Sequence, residues 1–283
     1  MIKPKIGAHV STAGGFWTAF ERAKTIGAEC VQIFGASPRV WQTKMPGAEE
    51  VELFKEEEKR SGIGPVYLHA SYLINLGSPN KDLASKSVGN LSAHLKIAEM
   101  VGAAGLIFHI GSSAGMEKEK SLEQVVEAMK EVLKNTPGRS FLVMENAAGG
   151  GEKIGKTAGE LAYLLKKVNS KRVKICLDTA HAFESGIIKE YKSDGIKKFL
   201  DEWDKEIGLE NITALHANDS KTLWNSHHDR HENIGAGYIG LAGFKALARE
   251  KRLWNKAWLL EVPGFDNEGP DKKNMDILKS CFK

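Results

Sequence analysis

Val173-Lys174-Ile175-Cys176-Leu177-Asp178-Thr179-Ala180-His181 is the stretch on which the fold turns. It is a short, nearly unbroken apolar and β-branched run, as expected of a strand covered by helices on its outer face. It ends on a carboxylate, with an imidazole three residues further on. Similar runs lie near 5–10, 30–35, 64–70, 105–111, 140–147, 212–217 and 257–262. Helix-period segments separate them. In 119–135, Leu122, Val125, Val126, Met129, Val132 and Leu133 fall on one stripe with Glu and Lys opposite; in 80–101, Leu91, Leu95, Ala98 and Val101 do the same. Eight strands alternating with helices over 283 residues predict a closed (β/α)8 TIM barrel, a single α/β domain over 1–283. A doubly wound open sheet is the alternative. No linker, low-complexity tract or charge block marks a boundary.

Composition narrows the class. A hydrophobic fraction of 42% and a charged fraction of 27% describe an ordinary soluble globular protein, and no apolar run is long enough to span a bilayer. Met1-Ile2-Lys3-Pro4-Lys5 leads straight into a strand-like segment without the basic and apolar regions of a secretory signal. Cys30, Cys176 and Cys281 are sparse and odd in number, which speaks against a disulfide framework and for a reducing, cytoplasmic setting. The absence of a CxxC pair excludes a thiolate zinc ribbon. A net charge of +4 is too mild to indicate nucleic-acid binding by itself.

In a barrel of this kind, chemistry sits at the carboxyl ends of the strands. Those ends read His9, Phe34, His69, His109, Glu145, Asp178, His216 and Glu261. A lone histidine is more often a satisfied structural side chain than a ligand, but six metal-ligand types besides His9 at eight strand ends is not a chance pattern. Just past strand ends lie His181, Asp229 and His231. The candidate set is therefore His69, His109, Glu145, Asp178, His181, His216, Asp229, His231 and Glu261, all nitrogen or oxygen donors. Such donors suit zinc, manganese or iron in a catalytic rather than structural site. One ion takes about four or five ligands, so the set implies two or three. Three divalent ions against four carboxylates leave a net positive site, suited to an anionic substrate and to in-line phosphodiester hydrolysis.

Three longer stretches carry a family resemblance. His69-Ala70-Ser71-Tyr72-Leu73-Ile74-Asn75-Leu76-Gly77, then Cys176-Leu177-Asp178-Thr179-Ala180-His181, then His216-Ala217-Asn218-Asp219-Ser220-Lys221 with Asp229-Arg230-His231, resemble the signatures of the endonuclease IV family of apurinic/apyrimidinic endonucleases. Gly7-Ala8-His9-Val10-Ser11, Glu145-Asn146 and Leu260-Glu261 also fit, so the resemblance is collinear over the chain. It implies three zinc ions: one on His69, His109 and Glu145, one on Glu145, Asp178, His216 and Glu261, and one on His181, Asp229 and His231. Glu145 would bridge two ions and orient the attacking hydroxide. The implied substrate is double-stranded DNA, cut 5′ to an abasic site or trimmed at a blocked 3′ end, by a monomer. Arg39 matches an arginine that enters the base stack; Tyr72 and Leu73 match residues that wedge the duplex, which costs little where a base is already missing. The chain departs from the pattern in three places: Ala36-Ser37-Pro38-Arg39 where the family usually has Lys-Asn-x-Arg, His109-Ile110-Gly111 where it has His-Pro-Gly, and Ala180 where it has Cys.

Other signals are weaker. Gly235-Ala236-Gly237-Tyr238-Ile239-Gly240 spells GxGxxG but follows a polar loop rather than a strand, so it fails the dinucleotide test. Gly149-Gly150-Gly151 reads as a flexible loop, or as backbone free to approach a phosphate. His227 and His228 read as loop surface or DNA contacts, His94 and Cys176 as packing, Trp41 as packing or a DNA contact, and His9 as a support for metal ligands. The main rival function is a sugar isomerase or epimerase on the same barrel, which needs a single ion on residues such as Glu145, Asp178, His216 and Glu261; a DNA-binding module without catalysis is the other. Elemental analysis separates the first two: the nine-donor reading expects about three ions per chain, the isomerase reading about one.

Overall fold

The computed structural model describes residues 3–283; Met1 and Ile2, the first residues of the lead-in to the first strand, lie outside the described residues. Eight parallel strands form a closed barrel: β1 (Lys5–His9), β2 (Val31–Phe34), β3 (Val66–His69), β4 (Gly105–His109), β5 (Phe141–Glu145), β6 (Val173–Asp178), β7 (Ile212–His216) and β10 (Ala257–Leu260). A two-residue ribbon, β8 (Asp219–Ser220) with β9 (His231–Glu232), stands apart from it. Pairing of β1 with β10 closes the ring in parallel register, which excludes the open doubly wound sheet. The expected eighth strand ends one residue early, so Glu261 follows β10 rather than ending it.

The helices form where the sequence pattern asks for them. The 119–135 stripe becomes α4 (Lys118–Asn135), with Val125, Val126, Met129 and Val132 buried and Leu122 and Leu133 packed at its edge. The 80–101 stripe becomes α3 (Lys81–Val101), started by Asn80, whose side chain accepts the Leu83 N–H at 3.1 Å. The other barrel helices are α1 (Thr18–Ile26), α2 (Ala48–Ser61), α5 (Ala158–Val168), α6 (Thr179–Glu184), α7 (Ser193–Ile207), α8 (Gly240–Leu247) and α9 (Lys272–Ser280).

Apolar packing divides into two layers. Most buried side chains lie between the strands and the helices. A smaller cluster fills the barrel: Cys30, Tyr67, Ile107, Val143, Cys176, Ala214, Ala257 and Leu259. Side chains alternate along a strand, so the residue two places beyond each of these shares its face. On β3 to β7 and after β10 that residue is His69, His109, Glu145, Asp178, His216 and Glu261. The layer that plugs the barrel thus dictates which side chains crown it. Cys30 and Cys176 are buried, and burial pushes their thiols up to about 12 and about 11. They are inert filling, as expected of Cys176.

The outer helices are held unequally. Phe54 is the only buried residue of α2, and its ring packs on Phe20 of α1 at 4.8 Å between centroids. Phe54→Ala is expected to cost about 3–5 kcal/mol, read as a lowered denaturation midpoint with the inner layer still folded.

Candidate metal centre

Asp178 shows how the local sequence builds the site. It ends β6 and caps α6, its Oδ1 accepting the His181 N–H at 2.8 Å. Capping turns His181 back over the barrel and leaves Oδ2 free for the centre. There it receives the Asn218 side-chain N–H at 2.7 Å and lies 3.6 Å from His231 Nε2. The Asp-x-x-His spacing is therefore a helix cap with two donors left over. Asn146 secures the same corner, accepting from Asp178 N at 2.6 Å while its own carbonyl faces His181 Nδ1 at 2.8 Å.

Glu145 is the hub. Its Oε2 lies 2.9 Å from His109 Nε2 and 3.3 Å from His69 Nε2; its Oε1 lies 2.9 Å from His216 Nδ1 and 3.2 Å from His181 Nδ1. Burial pushes its carboxyl up, but His109 and His216 outweigh burial and hold it well below the usual carboxylate range. The imidazoles respond in the opposite sense. Burial opposes their charge, yet Asp178 and Asp229 raise His181, and Cys176 with Glu261 and Glu145 raises His216, well above the ordinary imidazole value. Asp229 Oδ1 lies 3.2 Å from His181 Nε2 and 3.6 Å from His231 Nε2.

All nine predicted donors therefore converge. Donor atoms lie within 4.8 Å of one another in the sets His69–His109–Glu145 and Glu145–Asp178–His216–Glu261, and also in Asp178–His181–His231 and His181–Glu184–Asp229. Glu184 is absent from the sequence reading, because a glutamate three residues along a helix is too common to stand out. Burial pushes its carboxyl up to about 7. One oxygen takes Ser220 Oγ–H at 2.7 Å; the other is buried without a hydrogen-bond partner. Gln32, also absent from that reading, is fully buried on β2 beneath the centre. Its inward position in the strand alternation is the signal that could have found it.

The donors open into a cavity of about 1460 Å³ whose lining includes Arg39, Tyr72 and Leu73, with Lys153 and Arg230 as further cations. Tyr72 is 58% exposed, its ring edge-on to Phe34 at 5.5 Å. Two glycine motifs resolve differently. Gly149 and Gly150 are close-packed, a Cβ on Gly150 standing 2.5 Å from the His227 carbonyl oxygen, so these two glycines admit the neighbouring loop, while Gly151 faces open space. The GxGxxG segment wraps a side chain of its own chain. Asp219 accepts from the backbone N–H groups of Gly235, Gly237, Ile239 and Gly240 at 2.9–3.2 Å, and from Ser220 N at 2.9 Å. That carboxylate moors the loop following the β8–β9 ribbon, on which His231 rides.

Comparison with known proteins bears on this geometry. The family described as xylose isomerase-like TIM barrel matches residues 20–281. The probable endonuclease 4 of Aquifex aeolicus is 39% identical over 278 residues, covering 98% of this chain and 97% of the relative; that of Persephonella marina is 36% identical over 280 residues, covering 99% and 97%. The chain belongs to the endonuclease IV family. It is an enzyme of the endonuclease IV type, and its fold agrees: the crystal structure of endonuclease IV from Thermus thermophilus superposes with a TM-score of 0.87 at 33% identity, covering 98% of each chain. A D-tagatose 3-epimerase-like protein, at 17% identity and a TM-score of 0.72, shares the fold alone.

Within the endonuclease IV family, the Ala36–Arg39 departure has a structural counterpart. The Pro38 carbonyl accepts from Ser71 Oγ at 2.8 Å and from Tyr72 N at 3.2 Å, so the Arg39 loop is tied to the Tyr72 loop through a carbonyl that any residue supplies. Ile110 is buried and its carbonyl accepts Leu76 N–H at 3.0 Å; Ala180 is buried without polar contact. The donor chemistry also fits divalent ions. His181 Nε2 and His231 Nε2 are buried, face carboxylates and have no hydrogen-bond partner, a costly arrangement unless a cation engages them. Asp219→Ala is expected to strip five backbone N–H groups of their acceptor. It should cost roughly 3 kcal/mol or more and speed hydrogen exchange at Gly235, Ile239 and Gly240 by about 100-fold; unchanged exchange there would show that Asp219 does not hold the loop.

Proposed function

We propose that this enzyme hydrolyses the backbone of double-stranded DNA 5′ to an abasic site, leaving a 3′-hydroxyl and a 5′-deoxyribose phosphate, and that it trims blocked 3′ ends. The observation that carries the reading is the convergence of nine nitrogen and oxygen donors in overlapping clusters at the barrel mouth, with Glu145 as their hub, its two oxygens each facing two imidazoles. A one-ion isomerase leaves five of those donors without a task. The cavity, at about 1460 Å³, also exceeds the roughly 300–1,000 Å³ of ordinary small-molecule pockets.

On this reading three zinc ions, replaceable by manganese or iron, are held by His69, His109 and Glu145; by Glu145, Asp178, His216 and Glu261; and by His181, Asp229 and His231. When bound, such ions supply Lewis acidity that acidifies water and neutralises charge on a phosphate. The chain's own groups do the rest. Glu145, kept ionised by its imidazoles, takes a hydrogen bond from the attacking water and aligns it with the phosphorus. Asn218 keeps the Asp178 carboxylate from rotating away, and Asn146 fixes its backbone. Arg39 enters the base stack while Tyr72 and Leu73 wedge the kinked duplex, both loops moving as one through Pro38. Lys153 and Arg230 add positive charge at the rim for flanking phosphates. The chain works as a single barrel domain and as a monomer. No helix among the described residues is long and apolar enough to cross a membrane.

The test is incision of a duplex with one defined abasic site, with and without chelator. Incision is expected to stop on metal removal and return with zinc. Glu145→Gln should slow it by about 10²–10⁴-fold while duplex binding, followed by anisotropy, stays within a few-fold. Wild-type incision by Glu145→Gln would remove Glu145 from the chemistry.

A further inference from the structure

Gln32 occupies the inward face of β2, two residues past Cys30 of the barrel-filling cluster, and has no exposed surface. Glutamine in that position needs partners, because an amide sealed from water without hydrogen bonds is unfavourable. It has three, each from a different part of the ring. Its Nε2 lies 2.5 Å from Glu261 Oε1 and 2.9 Å from His9 Nδ1, and its Oε1 lies 2.8 Å from His216 Nε2. Chemistry fixes the orientation. An ionised carboxylate only accepts, so the amide NH2 faces Glu261; a carbonyl only accepts, so His216 bears an N–H at Nε2.

The consequence falls on the other atoms of both partners. With Nε2 protonated toward Gln32, His216 turns Nδ1 to Glu145 Oε1 at 2.9 Å and to Glu261 Oε2 at 3.2 Å. With Oε1 engaged by Gln32, Glu261 turns Oε2 to the same spot. We infer that Gln32 is a positioning residue of the metal centre: it sets the tautomer of His216 and the rotamer of Glu261, so that one nitrogen and one oxygen of the second ion's set are aimed before any ion arrives. It acts across β2, β1, β10 and β7, strands adjacent in the barrel, and through His9 it also engages the end of β1. The inference rests on the proposed metal reading and adds to it a residue that touches neither ion nor substrate.

The experiment compares the intact enzyme with Gln32→Met, which keeps the side-chain length and removes the amide. Each is dialysed against buffered free zinc over several decades, and zinc per chain is counted. Gln32→Met is expected to need roughly 10–100-fold more free zinc to half-fill one of its ions, the usual consequence of losing a ligand's outer hydrogen bond. Imidazole ¹⁵N spectra of the zinc-loaded wild type give a second readout that needs no variant, with His216 protonated at Nε2 and its proton slow to exchange. Superimposable zinc curves, or a His216 proton found on Nδ1, overturn the inference while leaving the metal reading intact. A wild-type chain that takes up no zinc overturns both.

Discussion

A closed parallel barrel allows a side chain only two directions, inward or outward, and the alternation cannot slip without emptying the core. That constraint governs this molecule. Tyr67, Ile107, Val143, Cys176, Ala214 and Leu259 fill the barrel, and the residue two places on from each is a candidate ligand. The apolar plug and the polar crown are one register seen at two heights. The crown is tolerable because Glu145, sealed from water, is ringed by imidazoles instead of apolar groups; a carboxylate so placed without them would surrender its charge.

Much of this can be read from the chain. Strand length, apolar content and the alternation with helical stripes point to the barrel, and terminal His, Asp and Glu residues point to the mouth. Those features are local, and locality is what a sequence displays. Gln32 and Glu184 escape for opposite reasons. Gln32 lies mid-strand, where its inward place in the alternation is its one local signal, and its partners His216 and Glu261 are remote in the chain. Glu184 sits three residues past His181 on a short helix, a spacing too ordinary to notice, and only burial of the whole of α6 gives it a role. The sequence pattern makes the eighth strand one residue too long, because Glu261 continues its alternation after its pairing has ended.

The Arg39 and Tyr72 loops illustrate how backbone can stand in for side chains. The sequence around Arg39 departs from the family pattern, yet its attachment runs through the Pro38 carbonyl, to Ser71 Oγ and Tyr72 N. Proline lacks a backbone donor but keeps its acceptor, and here only the acceptor is used. The link between the Arg39 and Tyr72 loops thus survives a change of side chains in the first of them.

Asp219 brings a different consequence. A glycine-rich run with several amides turned to one point is a receptacle for anions, and in this chain the receptacle is already filled from inside by a carboxylate. The amides of this run therefore serve the fold: their charge partner is a side chain of the same chain, fixed 16 to 21 residues away in sequence.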